Sequence, residues 1–253
     1  INYYIIIIYN MSLVDDTYKF NGEQLQDYFV MLLLNKKYGT FIEIGSNDPI
    51  KYNNTFLLEN SFGWKGIMVE LENKYLNLYK QYRPNSVHII DNALNINYID
   101  LFLKNNIPTN IDYLSFDIHE DHNLIGLQLF DKQIFDKYKF ACITFEHNLY
   151  MGRYEKCREE SRDIFKNRGY ILLFPDIRDF KDSPLEDWYV HPDLVNSDLL
   201  NKILEIMKQK PSFIMKEIYQ PGAPNFRRPI SPIDILSPSL NYKDAIELIK
   251  SII

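Results

Sequence analysis

The chain has 253 residues, 46% of them apolar and 25% charged, with a formal net charge of −6. That composition belongs to a globular protein with room for one large domain, or for one domain with an appendage. The acidic balance argues against a dedicated nucleic-acid binder, and two cysteines, Cys142 and Cys157, build no disulfide framework.

Two thiols without a framework suit a reducing compartment, so a cytoplasmic location and core-packed cysteines are the expectation. Basic residues are scattered, with Arg227 and Arg228 the only adjacent arginines. The opening "INYYIIIIYN" precedes Met11. It falls short of the roughly 20 residues needed to cross a bilayer, and it lacks a signal peptide's basic start. It reads as an added strand or as a leader upstream of a natural start at Met11, with no membrane anchor.

Elements follow in chain order. Gln24–Asn35 reads as a helix before the first strand, Phe41–Ile44. A helix over Asn53–Phe62 leads to a second strand, Gly66–Leu71. Asn73–Tyr82 is helical, Val87–Ile90 a third strand and Ile99–Leu103 a short helix. Tyr113–Phe116 and Phe140–Phe145 are the fourth and fifth strands. Glu155–Asn167 is a helix closed by Gly169, a residue suited to a left-handed cap. Tyr170–Phe174 and Trp188–Val190 complete the strands. Beyond Pro192 the pattern loosens: a helix over Leu199–Lys208, a run of prolines and glycines, then a last helix, Lys243–Ile252. Short apolar strands separated by helices imply βαβ units and a parallel sheet. The expected fold is a Rossmann-like three-layer α/β/α sandwich with a mostly parallel seven-stranded sheet, six strands parallel and one antiparallel. The expected divisions are a leader and packing helix over 1–38, a core over 39–192 and a helical appendage over 193–253. That appendage reads as a lid, a homo-oligomer contact or a bare extension.

Five strands end in acids: Glu43, Glu70, Asp91, Asp117 and Glu146. Open parallel sheets bind ligands beyond the carboxyl ends of their strands, so these acids are expected to line one pocket. The first turn, "EIGSND", lacks the glycine pattern of a phosphate site. Gly45 alone lets a ligand approach the backbone, while Asn47 and Asp48 also suit plain turn chemistry. Bare N–H groups and lysines hold phosphate, and an acidic turn does not. Glu70 follows Gly45 by 25 positions, near the spacing at which a carboxylate grips ribose hydroxyls in dinucleotide sites. An adenosine ligand without phosphates and with a positive end fits: S-adenosylmethionine.

The block "DYFVMLLLNKKYGTFIEIGSNDPIKYNNTFLLENSFGWKGIMVEL" resembles the opening of FkbM-type methyltransferases, a class I S-adenosylmethionine-dependent family. Gln26, Asp27, Glu43, Gly45, Asn47, Asp48, Asn54, Thr55, Gly63, Trp64, Gly66 and Glu70 carry the likeness. "DYLSFDI", "ITFEHN" and "EDWYVHP" extend it more weakly, to about residues 24–192. After "LSFD" the family continues Val-Glu-Gly-x-Glu, whereas this chain has Ile118-His119-Glu120-Asp121-His122. The family's role for that first Glu does not carry over. The resemblance implies that Glu43, Gly45 and Asn47 shape the methionine half of the cofactor pocket. Glu70 would bind the ribose, and Asp91, Asn92 and Ala93 would lie by the adenine. For Asp91 and Asn92, turn chemistry is the equal alternative.

Asp117, Glu146 and His147 are the catalytic candidates. A hydroxyl acceptor needs a base, or a metal that lowers its pKa. An Asp after strand four with a ligand pair after strand five is similar to the metal arrangement of some sugar methyltransferases. Asp117, Glu146 and His147 would then hold Mg²⁺, or Mn²⁺ given the imidazole. The rival is His147 as a metal-free base, and the plain alternative is local hydrogen bonding. "HEDH" (His119 to His122) has no zinc-site spacing and reads as a solvated loop. Arg153, Arg158 and Arg162 recur at helical spacing and read as a solvated face. Trp188 reads as core, and Tyr189 or His191 as a border of the acceptor site. The resulting expectation is an S-adenosylmethionine-dependent O-methyltransferase acting on a small-molecule hydroxyl, a sugar or glycan first, with nucleic acid disfavoured. An RNA or cap methyltransferase and a non-catalytic scaffold of the same fold stay open.

Overall fold

The computed structural model describes residues 12–15, 17–118, 122–151, 154–179, 183–209 and 240–253. The opening isoleucine-rich run, His119, Glu120, Asp121, Arg153, the adjacent Arg227 and Arg228 and the proline-rich stretch around them lie outside those residues. Among the described residues no helix is long and apolar enough to cross a membrane.

Seven strands form one sheet: β1 Thr40–Ile44, β2 Lys65–Glu70, β3 Val87–Ile90, β4 Asn110–Phe116, β5 Lys139–Glu146, β6 Ile171–Arg178 and β7 Pro184–Val190. Their order is β3-β2-β1-β4-β5-β7-β6. β7 runs antiparallel to both neighbours, and the other pairings are parallel. This is the expected six-plus-one sheet. The order reverses beside β1, the switch point where such sheets open a crevice.

Strand alternation builds two cores. Phe41, Met68, Tyr113 and Trp188 face one layer, made of α1 (Gln26–Leu34), α2 (Phe56–Phe62), α3 (Leu76–Tyr82), α7 (Ser197–Gln209) and α8 (Tyr242–Lys250). Ile42, Ile67, Leu114 and Ile143 face the other, made of α4 (Tyr98–Lys104), α5 (Asn123–Ile134) and α6 (Glu155–Asn167). α1 is apolar on nearly every side because it is buried on nearly every side, from Gln26 to Leu33.

α5 lies where the sequence reading placed no helix. Its buried positions, Asn123, Gly126, Leu127, Phe130 and Ile134, follow the three-and-four spacing of one helical face. Gly126 and the preceding polar run mask that spacing. The expected "solvated" arginine stripe on α6 is corrected too: Arg158 is 2% exposed, and both Arg158 and Arg162 turn toward the sheet. Cys142 and Cys157 are buried free thiols, as expected.

Candidate active site

β1 ends in a turn that only a few residue types permit. Gly45 has φ +84°, and a Cβ on it would lie 1.5 Å from the Asp117 carbonyl oxygen. The Asp117 N–H meanwhile donates to the Ile44 carbonyl at 2.9 Å. The ends of β1 and β4 are thus in backbone contact, and glycine is what allows it. Asn47 is also left-handed, with φ 47°. Its N–H donates to Glu70 Oε2 at 2.6 Å, and its carbonyl accepts from the Tyr79 hydroxyl at 2.5 Å. Asp48 closes an Asx-type turn by accepting the Ile50 and Lys51 N–H groups at 2.9 and 2.8 Å.

Glu43 does not reach this surface. Its carboxylate accepts the Asn54 N–H at 3.1 Å and the Thr55 hydroxyl at 2.7 Å, beneath the turn. Arg83, with no exposure, donates to Asn53 and Thr55 at 2.7 Å each and to Glu59 at 2.9 Å. Burial raises the Glu43 pKa, opposed by Arg83. The expected pocket-lining role of Glu43 is corrected to a brace that fixes the turn from below.

A cavity of about 550 Å³ opens beyond the carboxyl ends of the strands. β1 and β2 contribute Gly45, Asn47, Val69, Glu70, Leu71 and Glu72. The β3 end adds Asp91, Asn92 and Ala93, and the far wall is Asp117, Ile118, His122, Glu146, Asn148 and Tyr150. Glu70 is held rigidly, its second oxygen accepting the Glu72 N–H at 2.7 Å. Asn92 lines the wall and also caps the short turn after it, accepting the Leu94 N–H at 2.9 Å. At β3, turn chemistry and cavity lining therefore coincide.

Asp117 and Glu146 form a hydrogen-bonded carboxyl pair at the far wall. Desolvation by the atoms packed around it pushes Asp117 up to about 6, although the residue is itself open to the cavity, and the charges of Glu23 and Glu70 add to the shift. Burial, then the charge of Asp117, raises Glu146 well above the carboxylate range. One proton shared between two adjacent acids is the physical result. Behind Glu146, in register with it, stands buried Glu186, pushed up by burial to about 8.

His147 does not join this pair, which corrects its expected catalytic and metal-ligating roles. Successive strand residues point to opposite faces, so Glu146 looks into the cavity and His147 toward α6. His147 is fully buried, with Nε2 3.4 Å from Asp176 and 3.6 Å from Asp187. Its Nδ1 accepts the Leu149 N–H at 3.2 Å. Arg158 pairs with Asp176 at 2.5 Å, and Arg162 with Asp187 at 2.7 Å. Burial alone would raise Asp187, but Arg162 and then His147 hold it well below its usual range. Among the described residues, His147, Asp176 and Asp187 are the one metal-like grouping of three. Two guanidiniums already supply its positive charge, so the grouping is a structural ion-pair network. Without His147, Asp117 and Glu146 offer a divalent ion two carboxyl groups, a minority of the oxygen ligands Mg²⁺ takes.

Tyr189 and His191 also lie away from the acceptor side. Tyr189 is buried and donates to Asp187 at 3.0 Å. His191 packs edge-on against Tyr170 at the sheet's opposite rim, because β7 runs backward. Asn148 and Tyr150 are the wall residues that sequence reasoning missed. Asn148 has φ 57°, a conformation for which asparagine is the usual non-glycine choice.

No family model matches the chain, and no curated protein matches it. Solved structures resemble it weakly. A TehB-like SAM-dependent methyltransferase from Corynebacterium glutamicum is 11% identical, with a TM-score of 0.43 over 66% of this chain and 87% of that one. The O-methyltransferase TomG from Streptomyces achromogenes, involved in tomaymycin synthesis and solved with SAM, is 9% identical. Its TM-score is 0.47 over 67% of this chain and 78% of that one. Likeness at these levels says nothing about chemistry. What defines the class is the sheet itself: a Rossmann-like three-layer α/β/α fold with its crevice beside β1.

Proposed function

We propose that this chain is an S-adenosylmethionine-dependent O-methyltransferase acting on a small-molecule hydroxyl, a sugar or glycan hydroxyl first. One observation carries the reading: among the described residues, the crevice at the switch point is lined by Glu70, Glu72, Asp91, Asp117 and Glu146 and by no lysine or arginine. A pyrophosphate-bearing nucleotide needs the opposite lining. A nucleoside with a sulfonium suits this one. Glu70, fixed by two backbone N–H groups, faces the ribose hydroxyls. Asp91, Asn92 and Ala93 flank the adenine, and Gly45 and Asn47 leave room for the amino-acid end. The same acidic lining disfavours an RNA acceptor.

The cofactor supplies an electrophilic methyl group. The chain's part is to hold an acceptor oxygen in line with it and to take the hydroxyl proton. Asp117, hydrogen-bonded to Glu146, is the base. Asp117 would take the hydroxyl proton as the acceptor oxygen attacks, and the bound cofactor would supply the methyl group, with its sulfur as the leaving group.

Calorimetric titration with S-adenosylhomocysteine tests the reading. Micromolar binding is expected. Glu70→Ala, checked for native circular dichroism, should weaken it by about 2 kcal/mol, roughly 30-fold. A wild-type chain that takes up none, with or without divalent metal, ends the methyltransferase reading.

A further inference from the structure

We propose that the acceptor is a vicinal amino alcohol, whose primary ammonium binds between Glu146 and Asn148 while its neighbouring hydroxyl meets Asp117. This rests on the methyltransferase reading and specifies the substrate class of that same site.

The first support is an amide with nothing to bond. Asn148 lines the cavity and is 3% exposed. Its backbone is committed on both sides: its N–H donates to the Leu185 carbonyl at 3.1 Å, and its carbonyl accepts from the Met151 N–H at 3.0 Å. Its side-chain amide has no hydrogen-bond partner among the described residues. Buried amides are normally satisfied, and one left open on a cavity wall points to a ligand atom that completes it. The left-handed backbone and the ion-pair network under His147 fix the direction of that amide.

The second support is the sign of the wall. Asp117 and Glu146 share the wall with Asn148, with Glu186 behind Glu146, and among the described residues no lysine or arginine lines the cavity. Glu146 and the Asn148 amide oxygen offer acceptors to the ammonium, and Asp117 offers one to the hydroxyl. A primary ammonium carries three donors and a positive charge, whereas a lone hydroxyl brings one donor and no charge. Phosphate or carboxylate in that place would face like charge from Asp117 and Glu146. Asp117 and Glu146 line the same wall, at the ends of the paired strands β4 and β5, so the groups they hold belong to neighbouring positions of one ligand. That selects an ammonium vicinal to the hydroxyl. The cofactor-side acids, Glu70 and Asp91, lie at the ends of β2 and β3, on the other half of the cavity.

The test is calorimetry with glucosamine, glucose and glucose 6-phosphate, each with and without saturating S-adenosylhomocysteine, first without metal and then with Mg²⁺. Glucosamine should bind at least about 10-fold more tightly than glucose, and glucose 6-phosphate more weakly than both. Asn148→Gly keeps the left-handed backbone and removes the amide. It should cost glucosamine roughly 10-fold and leave the affinity for S-adenosylhomocysteine unchanged. Equal binding of glucosamine and glucose overturns the proposal, as does no detectable glucosamine binding. Glucose binding that appears only with Mg²⁺ overturns it in favour of a cation site. Loss of S-adenosylhomocysteine binding in Asn148→Gly overturns it by assigning the amide to the cofactor. If the wild type takes up no S-adenosylhomocysteine yet prefers glucosamine, the methyltransferase reading falls and the ammonium site stands.

Discussion

Glu186 accepts two hydrogen bonds on a single oxygen, from Gln26 at 2.9 Å and from the Trp188 indole at 2.7 Å. It is buried, with a pKa pushed up by burial to about 8. The unfolded chain titrates this group in the ordinary carboxylate range, so between that range and pH 8 the native state holds the extra proton. Its contribution to stability is therefore complete at low pH and is lost as pH rises toward 8. Glu186→Gln keeps an acceptor oxygen for both donors and cannot ionise. Urea unfolding at pH 5 should find the two proteins alike. At pH 8.5 the variant should be the more stable by on the order of a few kcal/mol. Parallel pH curves for the two proteins would mean that Glu186 ionises freely. Asp27, pushed up by burial to about 7, slopes the same way in both proteins and cancels in the difference, which reports Glu186 together with its effect on neighbouring Glu146.

At the scale of elements, the site depends on how closely β1 and β4 approach at Gly45. Gly45→Ala places a Cβ against a backbone carbonyl, which cannot swing aside as a side chain would, and adds the strain of φ +84°. A cost of at least about 2 kcal/mol and loss of measurable S-adenosylhomocysteine binding are expected. Gly169→Ala is the control. It has the same handedness, φ +83°, but its nearest neighbour is 3.8 Å away, at the rim opposite the cavity. It should cost about 1 kcal/mol and leave binding intact. The contrast shows what was legible in the sequence. Short apolar runs fixed the strands, and "EIGSND" with Glu70 marked the β1–β2 side of the cavity, because both are local. The acceptor half was not legible, because it depends on which face each side chain takes. Glu146 and His147 are neighbours in sequence yet point into different layers. Arg158 and Arg162 look like a surface stripe until Asp176 and Asp187 are seen beneath them. His191 follows its strand as the site acids follow theirs, but β7 is reversed, and so its end lies at the wrong rim.

For the whole molecule, the question is whether the C-terminal helix belongs to the fold or merely hangs from it. α8 buries Ala245, Ile246, Leu248 and Ile249 in the same cluster as α1, Trp64 and Trp188. The chain leading into it is stitched to the sheet, the Arg178 N–H donating to the Leu240 carbonyl at 3.1 Å. Three large aliphatic side chains at about 2 kcal/mol each would contribute about 6 kcal/mol. That is comparable to the whole stability of an ordinary domain, about 5–15 kcal/mol. α8 shares its core with both tryptophans, and a shared core implies a shared transition. Ile249→Ala, at a fully buried position, should cost about 2–5 kcal/mol and shift the urea midpoint read by tryptophan fluorescence, although neither tryptophan lies in α8. Helix loss followed by far-ultraviolet circular dichroism should move by the same amount. A bare appendage behaves otherwise: the variant would lose some helical signal early, while the tryptophan midpoint stayed where the wild type has it. Coincident, shifted curves would place α8 inside the cooperative unit that holds α1 over Glu186. The acceptor wall would then share its stability with the far end of the chain.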